Sequence, residues 1–485
     1  MATPIPKNRA PFSSAELALA TEGVLVGRGH ATGFAGVTSD SRNVSEGEVF
    51  VALRGEKFDG HDHVAAAVAR GASALLVERE VDVGQDVTVV RVPDSLIALG
   101  ALACFHRKRW ARPLEPVRRV VGITGSAGKT TTRHVVEQLL SFAGNRVHSS
   151  AGNLNNAIGV PMTLFGLSEA HDLAVVEMGM NRPGEIAHLA RTALPDVGVL
   201  TLVAEAHTGG VGSIEGVAYE KSELLAGLSH AGAAVVNGDD PLARAGLARS
   251  SAAHKLLYGA CEDADVRLVS RAPRGLSGSD VRIEVRRAQG PTQTVELGLP
   301  LLGRAGVYAS LAAIATLAAL EPTMPAELFA RLVARLADLA PGEGGRLAAR
   351  ERADGTIVID DAYNANPASM LASIEAAQEI AQALERRLVL VLGPMFELGA
   401  ESDALHERVG RAAAATRPAR VIVVASDPLA RAAAAGGAET LPVPDAREAE
   451  SAALSAVSPG DVVLVKASNS VGLSRVARRL LENSE

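Results

Sequence analysis

Val120-Val121-Gly122-Ile123-Thr124-Gly125-Ser126-Ala127-Gly128-Lys129-Thr130-Thr131-Thr132 is the stretch on which the fold turns. Its first five residues form an apolar run with the length and β-branched content of a buried parallel strand. Small residues then turn the chain, and a helix follows with Val135, Val136, Leu139 and Leu140 on one face. Glycines let backbone N–H groups come close to phosphate oxygens. The helix N-terminus adds partial positive charge and Lys129 a full one. Thr130 is placed to offer its hydroxyl to a phosphate-bound Mg²⁺. The full Gly-x4-Gly-Lys-Ser/Thr spacing is not met, because Ile123 stands where the first glycine belongs; the shorter Gly-x-x-Gly-Lys-Thr form is present. The bland alternative is a tight strand-to-helix turn with a surface lysine.

Outward from this loop the pattern repeats. Apolar runs at Leu173 to Met178, Val197 to Leu202 and Ala233 to Asn237 read as further buried strands between helices, hence a parallel sheet covered on both faces. At 281–299 the pattern becomes alternating (Val281, Ile283, Val285), which predicts an antiparallel addition. Downstream of the glycine-rich 341–345, strands at Thr356 to Asp360, Arg387 to Leu392, Arg420 to Val424 and Asp461 to Lys466 alternate with helices from Pro367 and Ser402, predicting a second open α/β unit. Upstream, short β-rich runs (Val49 to Leu53, Ala74 to Val77) mix with alanine-rich helical stretches. The prolines of Arg112-Pro113-Leu114-Glu115-Pro116 mark a linker. Three domains are therefore expected, at 1–113, 114–340 and 341–485.

Composition narrows the class. A net charge of −7 argues against a general nucleic-acid binder. Cys104 and Cys261 stand far apart with no metal-like spacing, which reads as two thiols in a reducing compartment. The stretch Met1 to Ser14 lacks a signal-peptide core, and no uninterrupted apolar run reaches membrane-spanning length. A cytoplasmic protein is expected.

Other residues carry chemistry or its bland counterpart. Glu177 ends a strand, where open α/β sheets place ligand groups, and is either a Mg²⁺ ligand opposite Thr130 or a solvated acid. His207 stands in the same relation to the next strand; a lone histidine is more often structural. Lys221, within a helix, reads by composition alone as solvated. Gly152-Asn153-Leu154-Asn155-Asn156-Ala157-Ile158-Gly159-Val160-Pro161 is either a capped loop before a helix or a polar substrate loop. Asp360-Asp361-Ala362-Tyr363-Asn364-Ala365-Asn366-Pro367 is either an N-cap cluster or a grip on a ribose or metal.

Taken in order, these runs, with Glu177-Met178-Gly179, Ala206-His207 and Glu220-Lys221 between them, resemble the Mur ligases, and within that family the branch that adds D-alanyl-D-alanine. The resemblance covers nearly the whole chain. At the N-terminal end it includes Asp40-Ser41-Arg42 and Gly47-Glu48-Val49-Phe50-Val51-Ala52; late matches are Glu397-Leu398-Gly399 and Val465-Lys466-Ala467-Ser468. It implies an N-terminal α/β domain that binds the UDP end of the substrate, a central ATP-binding domain and a C-terminal Rossmann-like domain. The implied reaction is ATP-dependent joining of D-alanyl-D-alanine to UDP-N-acetylmuramoyl-tripeptide (UDP-MurNAc-tripeptide) by a monomer, in peptidoglycan precursor synthesis.

The resemblance also implies roles. ATP would lie on Gly125, Ser126, Ala127, Gly128, Lys129, Thr130 and Thr131, with Asp361 and Asn364 reaching it from the C-terminal domain. A first Mg²⁺ would sit on Thr130 and Glu177, and a second on His207 and Lys221, the lysine carbamylated by CO₂. Arg346 would reach the ATP phosphates near an interdomain hinge at 341–346. Ser41, Arg42, Asn153, Asn155, Asn156, Asn366 and Lys466 would contact the other substrates. Lys129, Lys221, His207 and Arg346 are thus the expected catalytic set.

The chain departs from the family in four places. A Gly-x-His-Asn-x-x-Asn stretch is replaced by Gly303-Arg304-Ala305-Gly306-Val307-Tyr308-Ala309, Gly-Asp-Met by Gly393-Pro394-Met395, and Lys-Gly-Ser-Arg by Lys466-Ala467-Ser468-Asn469; Leu202 stands where an asparagine is common. The first removes amides that normally help hold adenine. Two other readings compete with the dipeptide ligase: a sister ligase adding a single amino acid, and a nucleotide-binding homologue without turnover. A hydroxyl phosphotransferase would explain the phosphate loop but not the lysine, histidine and second-domain acids together.

Overall fold

The computed structural model describes residues 3–55, 58–112, 117–206, 208–288, 290–340 and 347–482. The first 112 residues carry β1 (Pro11–Ser13), β2 (Val24–Gly27), β3 (Gly33–Ala35), β4 (Val37–Thr38), β5 (Val49–Val51), β6 (Ala74–Val77) and β7 (Thr88–Arg91). β1 and β3 pair as a small antiparallel ribbon, and the others form a sheet in the order β2-β7-β6-β5-β4. The helix Ser95–Trp110 follows, capped by Asp94, whose carboxylate accepts from the Leu96 and Ile97 N–H groups.

Nine strands make the central sheet: β8 (Arg119–Thr124), β9 (Val147–Ser149), β10 (Leu173–Glu177), β11 (Val197–Leu200), β12 (Ala233–Asn237), β13 (His254–Gly259), β14 (Val266–Pro273), β15 (Ser279–Val285) and β16 (Gln293–Leu299). Their order is β16-β15-β14-β13-β12-β11-β8-β10-β9. Pairing is parallel from β9 to β14 and antiparallel for the last two strands, as the alternation at 281–299 predicts. The chain leaves β8 toward one edge and returns past it toward the other, so the carboxyl end of β8 is a topological switch point, where open α/β sheets bind ligands.

The last unit holds β17 (Ala348–Glu351), β18 (Ile357–Asp360), β19 (Leu388–Leu392), β20 (Arg420–Val424), β21 (Thr440–Val443) and β22 (Val462–Lys466), in the order β17-β18-β22-β19-β20-β21. All pairs are parallel except β17–β18, the pattern of a Rossmann-like sheet with an antiparallel edge. The short strands β9, β17 and β21 carry no periodic signal and are not foreseen in the sequence. The strand expected to run to Leu202 stops at Leu200, because residues 201–204 peel away to support the phosphate loop.

Packing divides less sharply than sequence. One continuous apolar core joins Phe12, Leu99 and Leu102 of the first unit to Phe165, Leu189 and Leu224 of the second. Arg107, buried on the Ser95–Trp110 helix, donates to the Ala193 and Leu194 carbonyls and pairs with Asp196 at 2.7 Å. The C-terminal sheet instead has apolar clusters of its own on its two faces. The helix Gly303–Leu320 is long and apolar enough to cross a membrane, but it is mostly buried as the central core helix of the second unit.

Candidate active site

A cleft of about 650 Å³ opens at the carboxyl end of β8, floored by the phosphate loop and roofed by the C-terminal unit. Gly125 and Gly128 hold φ of +154° and +81°, conformations L side chains rarely adopt. A Cβ on Gly125 would lie 1.8 Å from Thr201 Oγ1. That hydroxyl donates to the Ala127 carbonyl at 2.6 Å, while Ser126 N–H donates to the Leu202 carbonyl at 2.8 Å and Ser126 Oγ to the Ala204 carbonyl at 2.9 Å. The loop is thus pinned from below, and Lys129 Nζ folds back to the Gly125 carbonyl at 2.8 Å.

On the β10 side, Glu177 is buried and holds two donors: Thr130 Oγ1 at 2.7 Å and Asn155 Nδ2 at 2.8 Å. A hydroxyl and a carboxylate meeting at a phosphate loop suit Mg²⁺, a hard cation that takes few protein ligands and completes its shell with water and phosphate oxygens. No group of three or more His, Cys, Asp or Glu side chains able to hold a metal occurs among the described residues. His207 and Arg346, and with them the expected hinge at 341–346, lie outside the described residues.

Lys221 is almost wholly buried on the helix Ile214–Ala226, contrary to the solvated lysine that composition suggests. Burial, and secondarily the charge of Lys129, hold its amine well below the ordinary lysine range. No ion pair to it is found among the described residues, and it does not line the cleft.

The asparagine-rich loop divides its labour. Asn153 and Asn155 line the cleft. Asn156 Oδ1 accepts from the Ile158 and Gly159 N–H groups, which caps the helix Gly159–Phe165 and gives this amide the bland job. From the C-terminal unit, Asn366 caps the helix Pro367–Ala383 and donates through Nδ2 to the Ser126 carbonyl at 2.9 Å, stitching that unit to the phosphate loop. Asp361 is occupied: its carboxylate takes Lys466 Nζ and Ser373 Oγ, each at 2.5 Å, and the Leu347 N–H. Beside it, burial first and the Asp361 charge next push the Asp360 carboxyl up. Asn364 lines the cleft and its carbonyl accepts from Lys466. Ser41 and Arg42 sit on the loop after β4, where Arg42 pairs with Asp40, away from the cleft lining.

Sequence reasoning missed the β12–β13 wall, formed by Asn237, Asp239, Asp240 and Tyr258; Arg304 and Tyr308, from the stretch that departs from the family, line the cleft beside it. The available signal was the acid pair Asp239-Asp240 just beyond an apolar strand, the placement that singles out Glu177.

Models of the Mur ligase family match in succession: its catalytic domain at residues 34–107, its middle domain at 123–317 and its glutamate ligase domain at 345–469. The UDP-N-acetylmuramoyl-tripeptide--D-alanyl-D-alanine ligase of Escherichia coli (strain K12) is 37% identical over 453 residues, covering 92% of this chain and 94% of that protein. The chain belongs to the Mur ligase family. The ligase of the same name from Bacillus subtilis (strain 168) is 32% identical, covering 92% of this chain and 93% of that one. Among solved structures, MurF from Acinetobacter baumannii superposes with a TM-score of 0.84 at 28% identity, covering 98% of this chain and 100% of that one. MurF from Thermotoga maritima, solved in complex with ADP, gives 0.77 at 30% identity, covering 92% and 97%. Use of ATP and Mg²⁺ is general to Mur ligases, and a cytoplasmic location is typical of them.

Proposed function

We propose that this Mur ligase joins D-alanyl-D-alanine to UDP-MurNAc-tripeptide, converting ATP to ADP and phosphate through an acyl phosphate. The observation that carries the reading is a pinned phosphate loop with Thr130, Asn155 and Glu177 converging beside it, in a chain whose full-length relatives bear that activity in their names. The substrate's terminal carboxylate attacks the γ-phosphorus and the bond to ADP breaks. The dipeptide amine then attacks the acyl carbon, loses a proton, and phosphate leaves. Lys129 lies against the loop to offset phosphate charge as the two anions approach. Thr130 and Glu177 would hold Mg²⁺, which supplies further positive charge there.

The finer assignments belong to the same proposal. Residues 1–113 take the UDP end, 114–340 take ATP, and 341–485 close over the site. Lys221, buried and with its amine held well below the ordinary lysine range, is suited to react with CO₂ and, as a carbamate, would hold a second Mg²⁺ with His207; a protonated amine would not react. Arg346 meets the phosphates, and the enzyme works in the cytoplasm. Closure excludes the water that would otherwise hydrolyse the acyl phosphate. The test is phosphate release from ATP and UDP-MurNAc-tripeptide, with and without D-alanyl-D-alanine, with mass detection of the product. Dipeptide-dependent release with a pentapeptide product is expected. Nucleotide binding with no product from any amine would overturn the reading.

A further inference from the structure

Thr3-Pro4-Ile5-Pro6-Lys7-Asn8 joins two loops that belong to different units. Thr3 and Ile5 are half-buried, whereas Pro4 and Pro6 are exposed, the alternation of an extended chain laid on a surface. Thr3 stands against the asparagine-rich loop. Its Oγ1 accepts the Asn153 N–H at 3.2 Å, and a Cβ on Gly152 would collide with the same hydroxyl. Asn153 lines the cleft, on the loop whose Asn155 holds Glu177. Ile5 packs on the apolar core shared by the first two units.

Farther along, the same segment grips β4 and the loop after it, which carries Ser41 and Arg42. Lys7 Nζ donates to the Asn43 carbonyl and to Ser45 Oγ at 2.8 Å, and pairs with the buried Glu48 at 3.4 Å. Glu48 in turn accepts the Ser45 N–H at 2.6 Å, which closes the loop on itself. Asn8, also buried, takes both backbone groups of Val37: Nδ2 donates to its carbonyl at 2.8 Å and Oδ1 accepts its N–H at 3.0 Å. Between the two grips, Pro4 and Pro6 fix their own φ angles. A proline-rich chain extends by about 3.1 Å per residue and stays stiff over several residues, so Thr3 to Lys7 spans about 12 Å. Asn8 and Ile5 would suffice to anchor the first unit; Thr3 instead holds the backbone of a cleft-lining residue in the second.

We propose that Thr3–Asn8 is a positioning strap that holds the loop of Ser41 and Arg42 and the loop of Asn153 at a fixed separation, so that one extended nucleotide-peptide meets both at once. The proposal rests on the ligase reading above, in which the first unit takes the UDP end and Asn153 contacts substrate, and deepens it by naming residues that set how well the whole substrate is held. Two subsites filled by one ligand act as a linked pair, and the second contact is gained only as far as their separation matches the ligand. A stiff strap removes the cost of ordering the two loops on binding. Loosening it therefore weakens the whole nucleotide-peptide and spares a fragment that fills one subsite.

The test is calorimetric titration of the full chain with UDP-MurNAc-tripeptide, UDP and ADP, repeated on T3V, T3S and P4G/P6G, with melting curves to check folding and Michaelis constants measured in parallel. T3V loses the acceptor for the Asn153 N–H and should weaken the nucleotide-peptide by about 2- to 10-fold. T3S keeps that acceptor and should restore the parent affinity. P4G/P6G keeps every side-chain contact of the strap but not its stiffness, and should weaken the nucleotide-peptide by about 3- to 30-fold. UDP and ADP should bind all three variants as they bind the parent, and the defect should fall on KM for the nucleotide-peptide with kcat kept. Unchanged nucleotide-peptide affinity in folded T3V or folded P4G/P6G would overturn the strap, and so would an equal loss for the nucleotide-peptide, UDP and ADP. Turnover separates the two proposals. Dipeptide-dependent turnover in the parent, with variants that bind as the parent does, removes only this inference. Strap-dependent binding of the nucleotide-peptide without turnover removes only the ligase reading.

Discussion

Substituting Gly125 by alanine puts a methyl group where the structure has no room for it. The new Cβ would lie 1.8 Å from Thr201 Oγ1, whereas real Cβ atoms essentially never approach within 3.0 Å, so the loop or the threonine must yield by more than an ångström. Swinging the hydroxyl aside breaks its bond to the Ala127 carbonyl, at a net cost of about 1 kcal/mol. The φ of +154° adds strain of about 1–3 kcal/mol for an L residue. Carried by the phosphate-competent conformation, the combined cost of about 2–4 kcal/mol weakens ADP binding by about 30- to 1,000-fold. Calorimetry on the folded variant measures this directly. The double variant G125A/T201A removes the clashing oxygen and should bind ADP more tightly than G125A alone, although T201A alone binds less tightly than the parent. If G125A binds ADP nearly as well as the parent, or if T201A only adds to its defect, the loop is not pinned as described.

Three further outcomes are expected. Asn155→Ala releases the amide that orients Glu177, so the Mg²⁺ concentration giving half-maximal turnover should rise by about 10-fold or more; an unchanged Mg²⁺ requirement would show that Glu177 needs no such support. Lys221→Met should raise the melting temperature in CO₂-free buffer near neutral pH while cutting turnover by about 100-fold. A lysine held below its ordinary value takes up a proton on unfolding, so the parent gains stability as pH rises, and its deficit against K221M should close towards pH 10.5; a deficit that widened with pH would contradict a buried neutral amine. Arg271 and Glu379 join the central and C-terminal units at 2.7 and 2.5 Å, and a double-mutant cycle on thermal unfolding should give a coupling of about 1–3 kcal/mol, with zero coupling excluding a role in docking.

Much of the scaffold is legible because its determinants are local. An apolar run, two glycines and Lys-Thr specify strand, turn and helix without help from the rest of the chain, and the place of Glu177 follows from ending such a run. What escapes the sequence is tertiary. Nothing near Lys221 in sequence reveals that the helix Ile214–Ala226 turns it inward, so composition reads it as solvated. Asn155 and Asn156 are neighbours of one residue type, yet one supports Glu177 and the other caps a helix, a division decided by which way the backbone turns. Asp239 and Tyr308 are 69 residues apart, and their contact exists only once the helix Gly303–Leu320 lies against the sheet. His207 and Arg346 rest on the family resemblance alone.

The continuous core beneath the first two units bears on how such ligases can be recombined. A chimera cut near residue 113 would separate Leu99 and Leu102 from Phe165 and Leu189, and strand Arg107 without its carbonyls and Asp196. Exchange of the nucleotide-sugar end is therefore a problem of repacking an interior. A cut near residue 341 crosses polar seams, such as Asn366 to the Ser126 carbonyl and Arg271 to Glu379, and takes only the partly buried Leu276 and Leu302 from the rim of one apolar cluster, whose buried members all lie in the last unit. The last unit is the piece that evolution or an engineer can trade as a cassette, while the other two are inherited together.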